Sequence, residues 1–154
     1  RIAIQNHVQK SLMSRLESAL TLWNNSDVRA EARKYACVCA EMPFCLEQVY
    51  GDKKYLNGAI DLLATNPKST EAFVVDYKTG DKNLTPEEII ESHRMQANFY
   101  AFVLMQRGYT KVTCAFVCVE VPDSADEKQP FVARYSFDEH RKPTLLGWEV
   151  REHV

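Results

Sequence analysis

No segment of this 154-residue sequence is apolar for long enough to span a bilayer, and no signal-peptide pattern opens it. It has no CxxC pair, no internal repeat and no low-complexity tract. These absences point away from a membrane-spanning protein, a zinc ribbon and a solenoid, and place the chain in the cytoplasm with no membrane partner. Charge of one sign is also scarce: the formal net charge is -2. That excludes a protein that coats nucleic acid by bulk charge, though a local basic groove stays open. The five cysteines, Cys37, Cys39, Cys45, Cys114 and Cys118, are odd in number. Their CxC and CxxxC spacings fall on β-like runs, so they read as small buried hydrophobes in a reducing compartment. The first residue is Arg1 rather than Met, and we expect a piece of a longer protein with part of its site upstream.

What is present is an ordinary globular composition, 45% hydrophobic and 26% charged, enough for one domain with a core. Val8, Leu12, Leu16, Leu20 and Trp23 recur at helical spacing in "HVQKSLMSRLESALTLW". "NNSD" breaks that helix, and Ser26 or Asp27 can cap a second one through "VRAEARKYA". The period then changes to two. "CVCAEMPFCLEQVY", with a bend near Pro43, and "KKYLNGAIDLLAT" read as strands about a Gly51-Asp52 turn. "AFVVDYKT" is apolar on both faces, as a central strand should be. "LTPEEIIESHRMQANFYAFVLMQRG" is the clearest helix, capped by Thr85, with Pro86 at its first position and Gly108 at its end. "KVTCAFVCVEV" and "FVARYSF" are further strands on either side of the polar loop "VPDSADEKQP", and "DEHRKPTLLGWEVREHV" reads as a closing helix. This order gives an α/β domain: a mixed sheet of about five strands, a meander then a helical crossover, flanked by helices.

One stretch raises a chemical question. In "VVDYKTGD" an apolar strand ends in Asp76 and Lys78, which project to the same side because residues two apart in a strand do. Asp61 ends an apolar run in "GAIDLLA" on the preceding strand. If the two strands pair around "NPKSTE", Asp61 and Asp76 come together, and two close carboxylates repel unless a cation lies between them. Hard oxygen donors suit Mg²⁺ or Mn²⁺. A lysine beside them can orient water or stabilise a phosphoryl oxygen, and the set then hydrolyses phosphodiesters. The alternative for an isolated Asp-x-Lys is a solvated charge pair at a strand end.

"GAID", fourteen residues, "DYK", and then "QANFY" on the next helix together resemble the PD-(D/E)xK nuclease superfamily, and within it the RecB-family nucleases. "EMPF" is similar to that family's E-x-P-F strand, and the similarity runs from about Leu20 to Val121. "EMPF", "GAIDLLA" and "VVDYKTGD" look most like the carboxy-terminal nuclease domain of the AddA/RexA helicase–nuclease subunit. The resemblance implies a restriction-endonuclease-like core and a metal-dependent DNA exonuclease acting in double-strand break repair and recombination. By the same resemblance Asp61, Asp76 and the backbone carbonyl of Tyr77 are metal ligands and Lys78 is the catalytic lysine. Gln96 and Tyr100, one turn apart on a helix, support the site and contact DNA; packing alone is the other reading of them. Glu41 either touches the metal shell or holds a nearby cation. The implied cofactor is Mg²⁺, with Mn²⁺ possible. The implied partners are single-stranded DNA ends, attached helicase domains and an AddB/RexB-like subunit.

The sequence departs from the family in places. The family's G-T-x-x-H histidine has no counterpart: His7 follows "AIQN", and the true ligand is expected upstream of Arg1. His93, three residues before Gln96 on the same helix, could approach the site, with a helix-surface histidine as the default reading. Ile60 stands for the Pro of PD. No C-x-x-C-x-x-C occurs, so no iron–sulfur cluster is expected. Lys82, Arg94, Arg107 and Lys111 are read as clustering around the site and its helix, either lining a strand channel or simply solvated, and intrinsic DNA affinity is expected to be weak. Two other readings stay open: a DNA- or partner-binding module with an incomplete nuclease site, and a free-standing restriction- or phage-type exonuclease.

Overall fold

The computed structural model describes residues 2–50, 52–120 and 129–144. Two helices, α1 (Ile2–Asn24) and α2 (Asp27–Ala32), precede three strands, β1 (Cys37–Tyr50), β2 (Asp52–Thr65) and β3 (Glu71–Lys78). Helix α3 (Pro86–Gln106) then leads to β4 (Lys111–Cys118) and β5 (Phe131–Phe137). The sheet runs in the order β1-β2-β3-β4-β5. Only β3 and β4 pair in parallel, as a helical crossover between them requires.

β3 is buried on both faces, and its period of two sorts its side chains. Ala72 and Val74 join the core under α3, with Cys114, Phe116, Ala97, Tyr100 and Ala101. Phe73 and Val75 join the core on the other face, with Val28 and Ala32 of α2 and the partly buried Trp23 of α1. Asp76 and Lys78 continue the α3 face, and Tyr77 packs on the α1–α2 side. Helix α3 is set at its start by a complete capping box, Thr85 with Glu88, and by Pro86 in the first turn. It ends where Gly108 takes φ +102°, a conformation that favours glycine.

β1 and β2 form a long hairpin, but β2 pairs with β3 only from Leu62 to Thr65. Beyond Leu62↔Val75 the two strands part. There Phe44 and Gly58 are register partners, and the Phe44 ring lies across Gly58. A Cβ at Gly58 would sit 2.5 Å from Phe44 Cζ, so the glycine makes room for the ring. Phe44 in turn packs beside Phe99 and Tyr100.

Several expectations need correcting. α1 is a helix, but Val8, Leu12, Leu16 and Leu20 are 50–56% exposed, because only its last turns (Ala19, Leu22, Trp23) reach the core. Cys37, Cys39 and Cys45 are exposed and only Cys114 and Cys118 are buried, since β1 is an edge strand. α2 stops at Ala32, short of the expected end. Residues 138–144, expected to open a closing helix, are bends and irregular backbone; the rest of that segment, Gly51 and residues 121–128 lie outside the described residues. Among the described residues no helix is long and apolar enough to cross a membrane.

Candidate active site

The site forms where β2 and β3 separate. The next pair in register after Leu62↔Val75 would be Asp61 with Asp76. Instead of a ladder bond, the Asp61 side chain takes over: its Oδ2 accepts the Tyr77 backbone N–H at 3.0 Å. This draws the Asp61 carboxylate against the backbone at Tyr77, one residue from Asp76.

Asp76 is only 3% exposed, and all its oxygens' partners come from two elements. Lys78 Nζ stands 3.0 Å from Oδ1. The Tyr100 hydroxyl donates to Oδ2 at 3.0 Å, with Gln96 Nε2 at a longer 3.5 Å. Lys78 also donates to Gln96 Oε1 at 2.7 Å, and Gln96 Nε2 donates to the Tyr100 oxygen at 2.8 Å. The result is a closed ring of hydrogen bonds: Lys78 to both Asp76 and Gln96, Gln96 to Tyr100, Tyr100 back to Asp76. Because an ammonium can only donate, Lys78 fixes which end of the Gln96 amide is oxygen, and the amide then fixes the tyrosine proton on Asp76. Burial, then the Asp76 charge, pushes the Tyr100 phenol well above its ordinary range, so it stays a donor. Burial and then Asp61 raise the Tyr77 phenol as well. Tyr77 meets Trp23 edge-on, with ring centroids 4.9 Å apart.

Of the residues singled out in the sequence, Asp61, Asp76, Lys78, Gln96 and Tyr100 are brought together. Tyr77 contributes its N–H to Asp61. Glu41 is exposed, with φ +52°, in the strand position between Ala40 and Met42, whose partners Leu62 and Ile60 flank Asp61. Its side chain makes no hydrogen bond or ion pair among the described residues. His7 is exposed on α1. Two readings were wrong. His93 is not a surface histidine: its side chain is 13% exposed and meets Asp81 at 2.8 Å. Lys111 does not approach the site. Lys111 pairs in register with Glu71, at the opposite end of β3 from Lys78. Sequence reasoning also missed Asp81, because its partner is twelve residues away on α3 and no motif links them.

Among the described residues no three His, Cys, Asp or Glu side chains group closely enough to hold a metal by themselves. Two carboxylates beside a peptide group nonetheless fit a hard divalent cation that keeps several waters, as Mg²⁺ does. The Lys78 ammonium already supplies one positive charge to Asp76 Oδ1.

A five-stranded mixed sheet flanked by helices, with paired acids and a lysine where its strands diverge, defines a restriction-endonuclease-like α/β fold. The chain belongs to the PD-(D/E)XK nuclease superfamily, whose family model matches residues 2–147. Members of that superfamily typically use divalent metals. No curated protein matches the sequence. A solved protein described as "Crystal structure of SSO0001" is 18% identical, with a TM-score of 0.47. The alignment covers 92% of this chain and 55% of that one, so the chain spans about half its length.

Proposed function

We propose that this chain is the nuclease domain of an AddA/RexA-like helicase–nuclease, an Mg²⁺-dependent exonuclease that hydrolyses DNA strands in double-strand break repair and recombination. The observation that carries the catalytic part is the Lys78 ammonium, held between Asp76 Oδ1 and Gln96 Oε1 at the place where Asp61 and Asp76 meet. A surface charge pair needs no such support. The AddA/RexA part rests on "EMPF", "GAIDLLA" and "VVDYKTGD". The partners on this reading are attached helicase domains that feed single-stranded ends, and an AddB/RexB-like subunit.

In the proposed mechanism Asp61, Asp76 and the Tyr77 carbonyl would hold Mg²⁺ or Mn²⁺, which when bound would supply Lewis acidity toward a phosphoryl oxygen and lower the pKa of water. Lys78 orients the attacking water and offsets charge developing on the phosphate. Gln96 and Tyr100 keep Lys78 and Asp76 in register, so little reorganisation is needed during reaction. The test is cleavage of single-stranded DNA with and without EDTA, beside Asp61→Ala and Asp76→Ala; cleavage that survives either substitution would defeat the proposal.

A second reading has one observation in its favour: among the described residues no third His, Cys, Asp or Glu joins the two carboxylates at the centre. On it the domain grips DNA or a partner without cutting, and binding then persists in EDTA while no metal produces cleavage.

A further inference from the structure

Asp81 and His93 lie outside the hydrogen-bonded ring, but His93 stacks on the same Phe116 ring that Lys78 approaches. Asp81 belongs to the turn of residues 79–84 that leaves Lys78 for α3. His93 lies one turn before Gln96 on the face of α3 that looks at the sheet. His93 Nε2 is 2.8 Å from Asp81 Oδ2, with the two side chains 13% and 14% exposed. The imidazole stacks on Phe116, centroids 5.2 Å apart and planes within 3°. Phe116 is fully buried and is the register partner of Asp76. Lys78 Nζ lies 5.6 Å from the centroid of the same ring. The register partner of Lys78 is Cys118, whose thiol is 3.8 Å from Asp81 Oδ2. One carboxylate in the turn is thereby tied to both α3 and β4.

Among the side-chain bonds described for the turn, Asp81 to His93 is the one that reaches α3. Thr79 and Gly80 are exposed, Gly80 has φ +85°, and its backbone hydrogen-bonds to Glu120, on the side of the turn away from α3. The last ladder contact is Val119 N–H to the Lys78 carbonyl, 3.0 Å. The ammonium, meanwhile, must meet Gln96, which belongs to α3. A half-buried acid–imidazole contact is a costly way to close an ordinary loop, because both groups give up water.

We propose that Asp81 and His93 are a positioning pair, pinning the turn after Lys78 to α3 so that the ammonium stays between Asp76 and Gln96. This rests on Lys78 being the working lysine of the proposed nuclease. The pair acts through Lys78 and touches no substrate.

The test uses Asp81→Ala, Asp81→Asn, and His93→Phe, which keeps the stack on Phe116 but loses the hydrogen bond. Single-stranded DNA cleavage in Mn²⁺ is compared with the side-chain ammonium NMR signal of Lys78 in metal-free protein. Displacements of about an ångström around a catalytic group can cost on the order of 10²-fold. Asp81→Ala and His93→Phe should therefore lower kcat at least about tenfold with KM little changed, and shift or broaden the Lys78 signal. Asp81→Asn, which can still bond His93, should recover much of both. An unchanged kcat and an unchanged Lys78 signal, with only Tm lowered, would overturn the proposal. If the wild-type domain cuts nothing, the nuclease reading fails, and the NMR comparison alone decides whether the pair positions Lys78.

Discussion

Replacing Lys78 by Met removes the one cation that, among the described residues, pairs with the buried Asp76 carboxylate, and keeps the side-chain volume. Breaking a buried ion pair from one side costs about 3–5 kcal/mol. Here the cost is smaller. The Lys78 side chain retains 23% of its exposure, so water can reach the gap, and Tyr100 still donates to Oδ2 at 3.0 Å. Roughly 2 kcal/mol remains, after setting one retained charge-assisted bond of about 1.5–3 kcal/mol against that range. In a domain of this size about 2–4 °C of Tm follows each kcal/mol, so Tm should fall by about 4–8 °C. The loss should be coupled to Asp76: Lys78→Met should cost much less in an Asp76→Asn background, where no charge is left unpaired. If the proposed metal site is right, millimolar Mg²⁺ should raise the Tm of Lys78→Met more than that of the wild type, because a cation there would no longer share Asp76 with an ammonium. Thermal melts of the four proteins, with and without Mg²⁺, settle it. A Lys78→Met protein that melts with the wild type, or shows no coupling to Asp76→Asn, would refute the buried-pair reasoning.

Three other outcomes are expected. Tyr100→Phe leaves Asp76 Oδ2 and Gln96 Nε2 without a hydroxyl and should cost about 1–3 kcal/mol, read by denaturant unfolding, with cleavage reduced alongside. Gly58→Ala drives a methyl into the Phe44 ring and should cost about 1–3 kcal/mol, with Phe44→Leu in the same chain restoring part of the loss. Burial, then Asp81, pushes the Cys118 thiol up to about 12. Below about pH 9 folded and unfolded chains both hold that proton; above it the unfolded chain releases the proton first, so stability should fall as pH rises from about 9 to 12. Cys118→Ala should flatten that part of the stability–pH curve.

The mixed sheet and α3 were legible in the sequence for physical reasons. β3 is apolar on both faces and α3 carries its own capping box, so local pattern and tertiary role agree there. Asp61, Asp76 and Lys78 could be joined because strand parity and a hairpin suffice to place them. Gln96 and Tyr100 needed only helical spacing. The exposed stripe of α1 was not legible, since periodicity shows that a face is apolar but not whether another element covers it. The exposure of Cys37 and Cys39 depended on β1 being an edge strand, which burial statistics for cysteine do not contain. Gly58 with Phe44 required the cross-strand register. Asp81 with His93 required a loop conformation, and no spacing rule connects a turn residue to a helix residue.

The most direct measurement is cleavage of linear single-stranded DNA in Mg²⁺ or Mn²⁺ by the wild-type domain beside Lys78→Ala. The expected result is metal-dependent cleavage by the wild type and none by the variant, with both proteins folded. Equal cleavage by the two would contradict the role given to Lys78, and retention of DNA with no cleavage in either metal would favour a binding module instead.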